Sequence, residues 1–122
     1  MTHGEKKIAK IIEELTMYFF AVGAHRIQSG IEVHENHAVI TFRANYNEEY
    51  KHKIEKIEEY LNESKNEGIE DFYWELAGSG DPGESSQLLL IGMMIDKAEI
   101  SITEEEVSLV LYKDLEESIE VY

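Results

Sequence analysis

Residues 78–112 read Gly78-Ser-Gly-Asp-Pro-Gly-Glu-Ser-Ser-Gln-Leu-Leu-Leu-Ile-Gly-Met-Met-Ile-Asp-Lys-Ala-Glu-Ile-Ser-Ile-Thr-Glu-Glu-Glu-Val-Ser-Leu-Val-Leu-Tyr112. A glycine-rich loop opens directly into a stretch that is apolar on nearly every side, and that stretch feeds two short segments. The spacing predicts a helix over 85–97, then strands at 99–102 and 107–112 separated by Thr103-Glu-Glu-Glu106. Leu89, Leu90, Ile91, Met93, Met94 and Ile95 leave the helix no polar face. A helix of that kind belongs in a core.

The same reasoning extends upstream. Ile8, Ile11, Ile12, Leu15, Phe19 and Val22 recur at helical spacing, which predicts a first helix over 5–22 with Gly23 at its end. Segments 26–34 and 37–43 read as a hairpin turning at Glu35-Asn36. Asn47 then caps a long second helix, with Tyr50, Ile54, Ile57 and Leu61 as its apolar stripe and Asn66-Glu67-Gly68 as its stop. Phe72, Trp74 and Leu76 alternate with other residues and predict a strand over 72–77, and residues 114–120 allow a last short helix. Helices interleaved with hairpins imply an α+β two-layer sandwich, with helices packed on one face of a mixed, mostly antiparallel sheet. No repeat, linker or low-complexity tract divides the 122 residues, so a single domain over 1–122 is expected.

Composition narrows the function. Hydrophobic residues make up 43% of the chain and aromatics 10%, enough for a folded core. Cysteine is absent, which excludes disulfides and thiolate sites and favours a reducing compartment. The first residues lack the apolar run of a signal peptide, and the longest apolar run, Met17 to Val22, is too short to cross a bilayer. A soluble cytoplasmic protein is expected.

Charge is unevenly distributed. Residues 1–62 carry 10 acidic and 8 basic side chains, whereas residues 63–122 carry 16 and 3, within a net charge of −15. Nucleic acid and anionic membranes are therefore unfavourable partners, because phosphate contacts need clustered Lys and Arg. A basic protein is the natural partner. Glu104, Glu105 and Glu106 at the hairpin tip, with Glu116 and Glu117 after the last strand, are the candidate partner-binding residues. The alternative is an acidity that only keeps the chain soluble.

Two further patterns bear on chemistry. Gly78, Gly80 and Gly83 spell G-x-G-x-x-G before a helix, where backbone amides can approach phosphate, and with Ser85 and Ser86 they form the candidate nucleotide-binding set. Asp81 and Glu84 place negative charge there, however, and either serine serves equally as a helix cap. His34 and His37 flank the hairpin turn, but a metal site usually needs a third ligand, such as Glu32 or Glu35, so no metal is expected. His25 follows a helix end, whose dipole it can complement. No nucleophile, base and acid stand in a recognisable arrangement.

Residues 83–113, with Leu90-Ile91, Met94-Ile95-Asp96 and strands ending at Lys113, resemble the C-terminal part of a histidine-kinase-like (Bergerat-fold) ATPase domain. Among these domains the pattern is most similar to the anti-sigma-factor serine kinases. The element order across most of the chain agrees with that architecture. The family's first helix carries Glu and, four residues on, Asn; here Glu14 is followed by Tyr18. The family's adenine-reading Asp-x-Gly-x-Gly is replaced by Arg43-Ala-Asn-Tyr-Asn-Glu-Glu49. The resemblance thus implies a degenerate member: no catalytic residues, no cofactor, and a regulatory or adaptor role that binds a protein partner. Two other readings remain: a nucleotide-binding regulator or kinase with an altered site at the 78–86 lid loop, and a small acidic secretion-type chaperone that forms a homodimer.

Overall fold

A computed structural model describes residues 1–63 and 85–115. The strand expected at 72–77 and the loop at 78–83 lie outside the described residues, as do residues 116–122. The chain begins with α1 (His3–Ala21), followed by β1 (Ile27–Val33) and β2 (His37–Asn45). A 3₁₀ turn (Glu48–Tyr50) leads into α2 (Lys51–Ile54) and α3 (Ile57–Glu63). The second described stretch contains α4 (Ser85–Met94), β3 (Lys97–Ile102) and β4 (Glu106–Asp114). The strands form one sheet in the order β1-β2-β4-β3, with every neighbouring pair antiparallel. This is the expected two-layer α+β arrangement, with the described strands all antiparallel instead of mixed.

Local chemistry accounts for each boundary. Thr2 and Glu5 make a reciprocal capping box that starts α1 two residues before the expected position. The helix closes in a Schellman motif. The Gly23 N–H donates to the Phe20 carbonyl at 3.1 Å, and the Ala24 N–H to the Phe19 carbonyl at 2.9 Å. Gly23 has φ +89°, and a Cβ there would stand 2.7 Å from the Asn47 Cβ, so glycine is required. The second helix is not continuous: Asn47 caps only the 3₁₀ turn, and the helix breaks at Glu55-Lys56 before α3. The break keeps Ile54, Ile57 and Leu61 all buried. The last helix is shorter than predicted, because Lys97 already pairs with Tyr112 as the first residue of β3.

One core fills the space between the layers. Ile8, Ile11, Leu15, Tyr18 and Phe19 of α1 meet Ala38, Ile40, Phe42 and Ala44 of β2, and the Phe19 and Phe42 rings stack at 5.4 Å. Val107, Leu109 and Leu111 of β4 continue the floor. Helix α4 contacts α1 on one flank and α3 on the other, which is why it has no polar stripe. Its burial is nevertheless unequal: Leu88, Leu89, Ile91 and Ile95 are buried, whereas Leu90, Met93 and Met94 are half-buried.

The inequality makes a stability test. Ile91 is fully enclosed, so Ile91→Ala should cost about 2–5 kcal/mol in chemical denaturation. Leu90→Ala should cost distinctly less, because part of its side chain already meets water. Equal losses would contradict this placement of α4.

Candidate functional site

Alternation along each strand divides the sheet into a face against the helices and a face open to solvent. Pairing sets the residues of the open face into lateral rows. Gln28, Arg43, Ser108 and Ser101 form one row; Gly30, Thr41, Val110 and Glu99 form the next. Glu32, Val39, Tyr112 and Lys97 follow. At the near end, Asn45 pairs with Glu106, and the Asn45 N–H donates to the Arg26 carbonyl at 3.3 Å, which places Arg26 beside them.

Two adjoining concavities lie on this face. One, of about 290 Å³, includes Gln28, Gly30, Thr41, Arg43 and Ser108 in its lining. Gly30 packs closely against Thr41 there: a Cβ on Gly30 would come within 2.8 Å of the Thr41 hydroxyl oxygen. The other, of about 480 Å³, is lined by His25, Arg26, Ile27, Gln28, Arg43 and Glu106. The chain has only two arginines, and both line this concavity.

Buried Asn45 fixes the entrance. Its Oδ1 accepts from the N–H groups of His25 at 2.9 Å and Arg26 at 3.0 Å, and its amide nitrogen lies 3.1 Å from the His25 ring. His25 therefore packs against a side-chain amide instead of serving only as a helix-end cation. The Arg43 Nε stands 3.8 Å from a Glu106 carboxylate oxygen, with both groups well exposed, so the pair is weak. The Arg26 guanidinium has no ion pair or hydrogen bond among the described residues.

The residues singled out in the sequence are placed as follows. Gly78, Gly80 and Gly83 lie outside the described residues; Ser85 and Ser86 open α4. Glu104 and Glu105 are exposed at the β3–β4 turn, where the Thr103 hydroxyl oxygen accepts from the Glu105 and Glu106 N–H groups. The Tyr46 hydroxyl braces the same turn by donating to the Thr103 carbonyl at 2.8 Å. Glu106 turns toward Arg43 instead of joining the tip. Glu116 and Glu117 are outside the described residues.

His34 and His37 do face each other, with rings stacked at 4.7 Å and the His34 N–H donating to the His37 carbonyl at 2.8 Å. Among the described residues, no three His, Asp or Glu side chains gather closely enough to hold a metal. No helix among them is long and apolar enough to cross a membrane.

The helix layer holds a second polar cluster. Glu14 is buried, with one carboxylate oxygen 3.1 Å from the Lys10 ammonium and the other accepting from the buried Gln87 amide at 3.2 Å. Hydrogen bonding to Glu14, and then to Glu13, raises the pKa of Lys10. Tyr18, one turn on, is enclosed in the core, and burial followed by the nearby Tyr60 pushes its hydroxyl pKa well up.

No protein-family model, curated protein or solved structure matches the chain.

Asn45 gives the site a direct test. Asn45→Ala strips the acceptor from two N–H groups and should cost about 1–3 kcal/mol. Asn45→Asp keeps an acceptor and should retain more of the stability in the same denaturation measurement. If the alanine variant were as stable as the parent, Asn45 would not organise the entrance.

Proposed function

We propose that the chain is a non-catalytic, acidic regulatory or adaptor protein on a degenerate histidine-kinase-like ATPase fold, binding a basic protein partner in the manner of an anti-sigma factor. The observation that carries protein binding is the unfinished edge of the sheet. Among the described residues, strand β1 has a neighbour on one side only. Its sequence, Ile27-Gln-Ser-Gly-Ile-Glu-Val33, has no lysine or proline to discourage further pairing. Ile31 and Val33 lie opposite the fully enclosed Ile40 and Ala38, on the helix-facing side, yet are 49% and 55% exposed. Helical spacing places Thr16 and Phe20 on the flank of α1 opposite Glu14, away from α4. Phe20 is 62% exposed, and neighbouring Met17 is 42% exposed. An extended partner segment added to β1 would complete the backbone ladder and cover Ile31 and Val33.

Loss of catalysis is supported by the same helix. The position where the family has Asn holds Tyr18, whose ring is built into the core. The carboxylate of Glu14 is already engaged by Lys10 and Gln87.

Two experiments test the reading. Calorimetry with ATP and magnesium should show no saturable heat in the micromolar range; saturation there would favour the nucleotide-regulator reading. For binding, protein retained from the native source at low salt should be lost with Ile31→Lys/Val33→Lys, whose denaturation midpoint should stay near the parent's. Retention unchanged by the edge substitutions would remove β1 as the docking strand.

A further inference from the structure

We propose that the open face of the sheet is a binding site for a small organic phosphate monoester, with its phosphate on Arg26 and Arg43 and its polar body over Gly30. The site lies on the side of the sheet away from α1 and α4, and it stands independently of the protein-binding reading.

Charge placement is the first argument. Acidic side chains outnumber basic ones 26 to 11, so an arginine on this chain has a surplus of carboxylates available. Arg26 nevertheless has no carboxylate partner among the described residues, and Arg43 has only the distant Glu106. Both arginines line one concavity with His25. The planar fork of arginine matches the oxygens of a phosphate and can donate two hydrogen bonds at once.

Preorganisation is the second. Two N–H groups bonded to the buried Asn45 hold the backbone at His25 and Arg26 before any ligand arrives. Arg43 sits within the central β2–β4 ladder. Less backbone freedom is then lost on binding than for arginines on an untethered loop.

The adjoining concavity supplies the third. It shares Gln28 and Arg43 with the cationic one. The Thr41 and Ser108 hydroxyls and the Gln28 amide offer donors and acceptors for a polar body. Glu106 is the competitor. Its single negative charge is weakly held in water, so a phosphate dianion can displace it from Arg43. Repulsion from the net charge of −15 acts at longer range and is damped over about 8 Å at physiological salt.

The test is an amide-resolved NMR titration at constant ionic strength with ribose 5-phosphate, ribose and inorganic phosphate. Ribose 5-phosphate should shift the His25, Arg26, Gly30 and Arg43 signals saturably, and ribose should not. Arg26→Gln/Arg43→Gln should weaken binding at least tenfold, and Glu106→Gln should strengthen it several-fold. Thr41→Val/Ser108→Ala should weaken ribose 5-phosphate but leave inorganic phosphate unchanged. Shifts reproduced by sodium chloride, or unaffected by loss of both arginines, would overturn the site. Inorganic phosphate binding as tightly as ribose 5-phosphate, with Thr41→Val/Ser108→Ala neutral, would overturn the monoester assignment.

Discussion

The nine-residue antiparallel ladder between β2 and β4, from His37 opposite Asp114 to Asn45 opposite Glu106, joins the two described stretches of the chain. Each strand brings its own hairpin partner, so this pairing places β1 and β3 at the edges of the described sheet. It also aligns Ala38, Ile40, Phe42 and Ala44 with Val107, Leu109 and Leu111 as the continuous floor on which the helices rest. A one-residue slip of either strand would turn that strand's share of these side chains to solvent, so the apolar alternation holds the register. Burial of that floor is the common requirement of both layers, at roughly 25 cal/mol for each Å² of apolar surface removed from water.

The same alternation gives the opposite face of the sheet a largely polar surface that no described element covers. Its chemistry is not uniform. Tyr112, Glu99 and Lys97 interact toward the β3 side: the Tyr112 hydroxyl donates to Glu99 at 3.0 Å, and the Lys97 ammonium lies 5.4 Å from the Tyr112 ring centre. The end near Asn45 instead collects both arginines. A strongly acidic chain thus gathers both of its arginines at one concavity, because strand pairing brings Arg26 and Arg43 together. The acidic tip at Glu104 and Glu105 lies beyond the same end of β4, which sets charges of opposite sign close to each other.

Much of this fold was legible in the sequence. The periodicity of Ile8, Ile11, Leu15 and Phe19 located α1. Alternation with the Glu35-Asn36 turn located the first hairpin, and the all-round apolar character of α4 reflected its position between α1 and α3. Some misses had a readable signal: Thr2-x-x-Glu5 is a capping-box pattern, and it moves the start of α1 forward. Others had none. Glu14 and Gln87 are 73 residues apart and meet only because α1 packs on α4. The exposure of Ile31 and Val33 could not be read from β1, whose alternation is the same whether or not a helix covers it. The site at Arg26 and Arg43 required the register of β1 on β2. The glycine loop is the reverse case, prominent in sequence but outside the described residues.

Hydrogen exchange resolved by residue tests the central place of the β2–β4 ladder most directly. Amides of β2 and β4 should exchange slowest and as one group, because their bonds open only when the whole sheet unfolds. On β1, only the amides directed at β2 should be protected, while those directed outward should exchange orders of magnitude faster. Uniform protection along β1 equal to that of β2, or β4 amides opening independently of β2, would contradict a sheet built around this pairing with β1 as its open edge.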